Sequence, residues 1–176
     1  MPDLPFTALQ IADPTLTEAL ATDREPRWAM FLGYWQSLAD ELQRIPSRGD
    51  IDPSNIPGAL LPHIFLVDVI RQTTASPRLQ FRYRLLGGVI THIEKARPGD
   101  ILDEICKTDN LLAIEDHYID AMQGRIRIRS TTLEWESPDR NYINYQVAVL
   151  PLADSTGEIT NLMGCSIYEM SAQRIY

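Results

Sequence analysis

Apolar residues change their spacing several times along this chain, and each change marks a new element. Trp28, Phe31, Leu32, Trp35, Leu38, Ala39 and Leu42 recur three and four positions apart, while Gln36, Asp40, Glu41, Gln43 and Arg44 fill much of the opposite side. That is the period of one helix face, so a helix is predicted over about residues 27–44. Its stripe carries two tryptophans and a phenylalanine, which must be buried against the domain or against a second copy. Pro46, Gly49, Pro53 and Pro57 then forbid long regular structure, leaving a loop in which Asp52-Pro53 starts a helical turn that Pro62 closes. Residues 64–71 and 79–86 read as strands. The first is β-branched and apolar on both faces apart from Asp68; in the second, Phe81, Tyr83 and Leu85 alternate with Gln80, Arg82 and Arg84.

Gly87-Gly88 breaks the alternation. Val89, Ile90 and Ile93 suggest a short helix stopped near Arg97-Pro98-Gly99, and residues 100–105 suggest another brief turn. A second long helix is predicted over 109–123, with Asp109 as cap, Gly124 beyond its end, and a stripe of Leu111, Ile114, Tyr118, Ala121 and Met122. Three strands close the chain, at 126–136, 142–152 and 159–168, the last two joined by the turn Asp154-Ser155-Thr156-Gly157. Apolar parity changes between Ile126/Ile128 and Leu133/Trp135, which requires a bulge or a late strand start.

The chain has 176 residues, 44% hydrophobic and 23% charged, which fits one globular domain with a real core and excludes a disordered or fibrous chain. Lys plus Arg number 16 against 24 Asp plus Glu, a net charge of -8 that opposes nucleic acid or an anionic membrane as a partner. The apolar run Ile64 to Ile70 is far short of a bilayer span, and the start, Met1 to Pro5, lacks the regions of a secretion signal. Cys106 and Cys165 match no metal or redox spacing and read as free thiols, in keeping with a cytoplasmic location.

Two strands, a helical excursion and a three-strand meander is the element order of a PAS domain. The tracts Pro46-Ser47-Arg48-Gly49-Asp50-Ile51-Asp52-Pro53, Leu60-Leu61-Pro62-His63-Ile64-Phe65-Leu66-Val67-Asp68-Val69 and Phe81-Arg82-Tyr83-Arg84-Leu85-Leu86-Gly87 sharpen the match. Together with Val147-Ala148-Val149-Leu150-Pro151-Leu152 and the helix around Tyr34-Trp35, they resemble a bacterial PAS-like family long labelled a domain of unknown function. The resemblance covers about residues 28–168. It implies an α+β domain, a five-stranded antiparallel sheet in the order 2-1-5-4-3 with short helices and the 109–123 helix on its inner face. One departure stands out: the excursion Val89-Ile90-Thr91-His92-Ile93-Glu94-Lys95-Ala96 is more polar than the family pattern suggests. The expected layout is an arm at 1–26, an amphipathic helix at 27–45, the PAS-like domain at 46–170 and a tail at 171–176.

The expected lining of the space between helix and sheet is Phe81, Tyr83, Leu85, Tyr118, Met122, Trp135, Tyr145 and Val147, with His92 and His117 as polar candidates. Such a space suits a small apolar or aromatic ligand unless those side chains fill it. His117 is the residue to test for iron, since haem-binding PAS domains use a helical histidine of the corresponding region; read from its neighbours alone, it is a boundary residue on the flank of a stripe. Cys106 falls where flavin-binding light sensors keep a reactive cysteine, but Glu104-Ile105-Cys106-Lys107 does not match their Asn-Cys-Arg-Phe-Leu-Gln signature. No haem, flavin, other cofactor or metal is expected. Asp116 and Asp120, one turn apart, read as a solvated face rather than a cation site, and His63 as a turn residue. Asp68 needs a donor, from Arg48, Arg82 or Arg84. Arg125, Arg127 and Arg129 alternate with Ile126 and Ile128, as a charged edge that blocks strand addition or receives an anionic partner.

No phosphate loop, nucleophile elbow or metalloprotease motif occurs. The expected function is a stand-alone regulatory module acting through a small ligand, a protein partner and a homodimer, the dimer built on Trp28, Phe31, Trp35, Leu38 and Leu42. The alternatives are an adaptor without a ligand, or a small cavity enzyme with His92 or His117 as base.

Overall fold

The computed structural model describes residues 25–72, 78–106, 108–134 and 142–171. Helix α1 (Pro26–Leu42) comes first, followed by single 3-10 turns at Arg48–Asp50, Pro53–Asn55 and Leu61–His63. Strands β1 (Ile64–Gln72) and β2 (Arg78–Leu86) follow. Helices α2 (Gly88–Glu94), α3 (Leu102–Ile105) and α4 (Thr108–Met122) lead to β3 (Ile128–Glu134), β4 (Tyr142–Ala153) and β5 (Ile159–Ser171). The strands form one antiparallel sheet in the order β2-β1-β5-β4-β3, as the resemblance implies. The parity change in β3 resolves as a late start, at Ile128.

Local chemistry sets the register. In the β4–β5 turn, Asp154 Oδ1 accepts from the backbone N–H groups of Thr156 (2.8 Å) and Glu158 (3.1 Å), and Gly157 takes φ 85°, which favours glycine. The hairpin then pairs Val149 with Gly164, Val147 with Ser166 and Tyr145 with Tyr168. β1 enters beside β5 with Phe65 opposite Gly164. A Cβ on Gly164 would lie 2.0 Å from Phe65 Cζ, so the ring lies directly over bare backbone. Because β1 is paired on both sides and covered on both faces, its continuous apolar run is explained.

The inner face carries Phe65, Val67, Val69, Phe81, Tyr83, Val147 and Val149 against α4, all buried. Leu85 departs from expectation. β1 and β2 slip register at Leu66/Val67, where Leu66 opposes Leu85 but Val67 opposes Tyr83, leaving Arg84 as an extra residue. One extra residue flips every later side chain. Leu85 therefore turns outward, 38% exposed, and Leu86 is the half-buried one.

The outer face is covered as well, except at its β3 end, where Ser130, Asn144 and Glu169 are exposed. Ile64, Ala148, Leu150, Met163 and Cys165 point outward by register yet are at most 2% exposed. Their cover is α1. Glu25 caps this helix, accepting from Arg27 N–H at 3.2 Å, and Pro26 occupies its first position. Trp35 Nε1–H donates to the Pro151 carbonyl at 3.0 Å. Pro151 lies beyond the last β3–β4 pair, Ile128 with Ala148, where a residue without an N–H is tolerated and its carbonyl is free. Trp28, Phe31 and Trp35 are used up inside their own chain, and Leu38 and Leu42 are half-buried. The stripe expected to be buried against the domain or a second copy thus packs mainly on the protein's own sheet.

Gly164→Ala should destabilise the domain by about 1–3 kcal/mol, because the new methyl overpacks a rigid, buried ring. Adding Phe65→Leu should recover part of that loss, measured as urea midpoints of the two single variants and the double. Equal stability of wild type and Gly164→Ala would mean that the ring does not sit over the glycine.

Candidate functional site

A polar cluster occupies one end of the otherwise apolar inner face. Gly87 starts it: its N–H donates to the Ile64 carbonyl at 2.8 Å, and a Cβ there would lie 2.2 Å from the Pro62 oxygen. This close approach aims α2 across the sheet. The helix stops at Lys95 in the left-handed region, φ 58°, and its last residue, Glu94, accepts a short hydrogen bond from the Tyr168 hydroxyl on β5. The Tyr168 ring lies 5.2 Å from that of Tyr145 on β4. Deeper in, Tyr118 of α4 meets Phe81 edge-on at 5.0 Å, and Tyr83 meets Phe65 edge-on at 6.0 Å. The register sets the Ser166 side chain on the same face as Tyr145 and Tyr168.

Accessibility separates this end from the rest of the core. Glu94, Cys106, Arg129, Tyr145 and Tyr168 are half-buried, whereas Tyr83 and Tyr118 beneath them are buried. The result is a buried aromatic layer with a half-buried polar rim. Burial raises the pKa of the Glu94 carboxyl, opposed only by the Tyr168 hydrogen bond. Burial, with the Glu94 charge adding to it, raises all four phenols and pushes the Cys106 thiol up to about 11. At neutral pH the phenols and the thiol are therefore hydrogen-bond donors, not anions.

A family model described as PAS domain matches residues 24–167. The chain belongs to the PAS domain family. Similar solved structures include a variant of Vivid, 13% identical, covering 78% of this chain and 92% of that one at a TM-score of 0.43. The light state of the Aureochrome1 LOV blue-light photoreceptor is 14% identical, covering 63% of this chain and 84% of that one at a TM-score of 0.36. The periplasmic sensory domain of the Campylobacter jejuni chemoreceptor Tlp1 is 11% identical, covering 86% of this chain and 58% of that one at a TM-score of 0.39. No curated protein matches the chain.

Within this PAS domain, the expected lining residues Phe81, Tyr83, Tyr118, Met122 and Val147 are buried on the inner side, and Tyr145 stands at the rim. Trp135 lies outside the described residues. The histidines fall elsewhere. His92 is exposed on α2. His117 is 1% exposed and its Nε2–H donates to the Arg127 carbonyl at 3.1 Å, tying α4 to the start of β3. A haem iron would need that nitrogen, so His117 does not fit an axial ligand. His63 Nε2 accepts from Arg27 Nη1 at 2.8 Å, leaving Nδ1–H to donate to the Ser166 carbonyl at 2.9 Å. None of the three stands in the polar rim as a base. Asp120 pairs with Arg125 (2.5 Å) and Arg127 (2.8 Å) instead of sharing a cation with Asp116. Among the described residues no three metal-binding side chains converge. Asp68 takes Arg82 (2.9 Å), Arg84 (2.6 Å) and Asn161 (2.8 Å), which ties three strands together on the outer face.

Sequence reasoning missed Glu94, Tyr168 and Ser166 as site residues, and named Arg129 only as part of a charged edge or anion-receiving row. Two signals were available. The polar excursion contained Glu94, and counting back from the β4–β5 turn places Tyr168 opposite Tyr145.

Burial pushes the His117 pKa down to about 4, against a free value of 6.5, so the native state keeps the ring neutral. The unfolded chain takes up that proton first as pH falls, so the contribution is whole above about pH 6.5 and drains away towards about pH 4. Urea unfolding of wild type and His117→Gln at pH 7 and pH 4.5 should show the wild type losing about 2–3 kcal/mol more than the variant. Parallel losses would refute the assignment.

Proposed function

We propose that this PAS domain is a regulatory sensor module. The polar rim of its inner face takes up a small molecule, and α1 passes the change to a protein partner or a second copy. The observation that carries the reading is the half-buried cluster between α2 and strands β3–β5, with hydroxyls, a thiol and a carboxyl set in an aromatic shell. A few placed polar groups on a largely apolar wall is the composition of a small-molecule site.

Ser166 supplies the route outward. Its side chain shares a face with Tyr145 and Tyr168, while its carbonyl accepts from His63, which in turn holds Arg27 of α1. Arg27 is clamped by Glu25 through two bonds of 2.5 Å. A ligand that repositions Tyr145 or Tyr168 therefore acts on the residue that also anchors the outer helix, and it shifts the anchor only as far as it prefers one arrangement over the other. A second copy would meet the exposed side of α1, at Ala29, Met30 and Gly33, since the aromatic stripe is already covered.

Gently purified wild type, measured by native mass spectrometry, should carry a small-molecule mass that Tyr145→Trp, which crowds the rim, lacks. Hydrogen exchange at the start of α1 should differ between the two. Absence of any retained mass, together with identical exchange, would remove the sensor reading. Light scattering should give a dimer that Met30→Asp weakens; a monomeric wild type ends the homodimer part alone.

A further inference from the structure

We infer that His63 is a proton-operated latch: its neutral ring holds the start of α1 to the sheet, and protonation releases that turn. The inference deepens the reading above, in which α1 is the output element, but its test needs no ligand, so each can fail alone.

The contacts around the ring admit one protonation state. Arg27 Nη1 lies 2.8 Å from His63 Nε2. A guanidinium has no acceptor, so Nε2 offers a lone pair and the ring proton sits on Nδ1, which donates to the Ser166 carbonyl at 2.9 Å. One imidazole thus joins the first turn of α1 to β5. A second ring proton would point at a donor and set a cation beside the Arg27 guanidinium. Glu25 completes the cluster. Its carboxylate accepts from Arg27 Nε and Nη2, both at 2.5 Å, and caps α1 by accepting the Arg27 backbone N–H at 3.2 Å. Protonated His63 offers this carboxylate a competing donor, so the disturbance reaches the helix cap as well as the side chains.

The other elements around the ring have their charges engaged elsewhere, exposed or neutral. α2 packs on the Leu61–His63 turn; its titratable groups are His92, which is exposed, and Glu94, which holds Tyr168 on the inner face. The first charged residue of β1, Asp68, is taken by Arg82, Arg84 and Asn161. On β5, Glu169 is exposed, and burial pushes the Cys165 thiol up to about 12, which keeps it neutral. Burial, with the Arg27 charge adding to it, lowers the His63 pKa against the opposing Ser166 bond and Glu25 charge. The latch is therefore shut at and above the free value of about 6.5 and opens on acidification below it.

Hydrogen exchange of the full chain, corrected for its intrinsic pH dependence, tests this at pH 7.5 and at a pH below the His63 titration seen by imidazole NMR. Protection of the Trp28–Leu32 amides should fall about tenfold in wild type, as expected for losing a hydrogen bond to a charged group. His63→Gln keeps an acceptor and a donor but cannot titrate, and should show no such fall. The β4 and β5 amides report global opening and should respond alike in both proteins. Should His63→Gln leave the turn open at both pH values, Arg27→Met gives the second reading: with the repelling charge gone, the His63 pKa should rise. The inference is overturned if wild type and a closed His63→Gln respond alike, if His63 takes up its proton without loss of α1 protection, or if Arg27→Met leaves the His63 pKa unchanged. Absence of a retained small molecule in native spectra would count against the sensor reading and leave the latch standing.

Discussion

Phe65 and Gly164 meet where β1 lies beside β5, and this contact joins the two halves of the chain. β1 belongs to the first hairpin and β5 to the last, so their pairing closes a loop containing β2, α2, α3, α4, β3 and β4. Closing so long a loop is entropically unfavourable, and it holds because a large apolar ring becomes fully covered. Phe65 is 2% exposed and its ring reaches Tyr83 and Tyr118 as well as the glycine. A side chain on Gly164 would push the ring off the strand. The same contact therefore sets the central register of the sheet.

The two faces of the sheet have different tasks. The outer face is covered by α1 with apolar groups, apart from the Asp68 network beside β2 and the exposed Ser130, Asn144 and Glu169 at the β3 end. The inner face is apolar under α4 but becomes polar where α2 ends. Ser166 belongs to both, because a strand residue presents its side chain to one face and its carbonyl to the strand edge. Through that carbonyl, His63 and Arg27 connect the edge to the outer helix. The arrangement needs His63 neutral, since only then can Nε2 accept from a guanidinium. Burial, helped by the Arg27 charge, lowers its pKa in that direction.

Much of this was legible in the residues. Spacing alone located α1 and α4, and alternation located β2, because these elements bury one face each and their periods are undisturbed. Strand order came from resemblance, since periodicity carries no information about neighbours. Where reading failed, a local irregularity or a distant partner was responsible. Leu85 was assigned inward because alternation assumes an unbroken strand, and the extra residue Arg84 is invisible without the β1 register. The stripe of α1 announced burial but not its partner, so a second copy and the protein's own sheet were equally compatible with it. His117 reads as a boundary residue from its neighbours, and its hydrogen bond to Arg127 depends on where β3 begins.

The cluster at the polar rim is difficult to explain as a stabilising feature. Glu94 has lost part of its hydration and gains a phenol hydroxyl in return, a weak exchange for a carboxyl group. Replacing such groups with apolar ones of similar volume is often neutral or favourable to stability. The surrounding core shows that this chain builds tight apolar packing readily, with Val149, Leu152, Leu162 and Met163 all at 0% exposure. A half-buried carboxyl, neutral phenols and an arginine gathered at one end of that core therefore come at a cost in local packing.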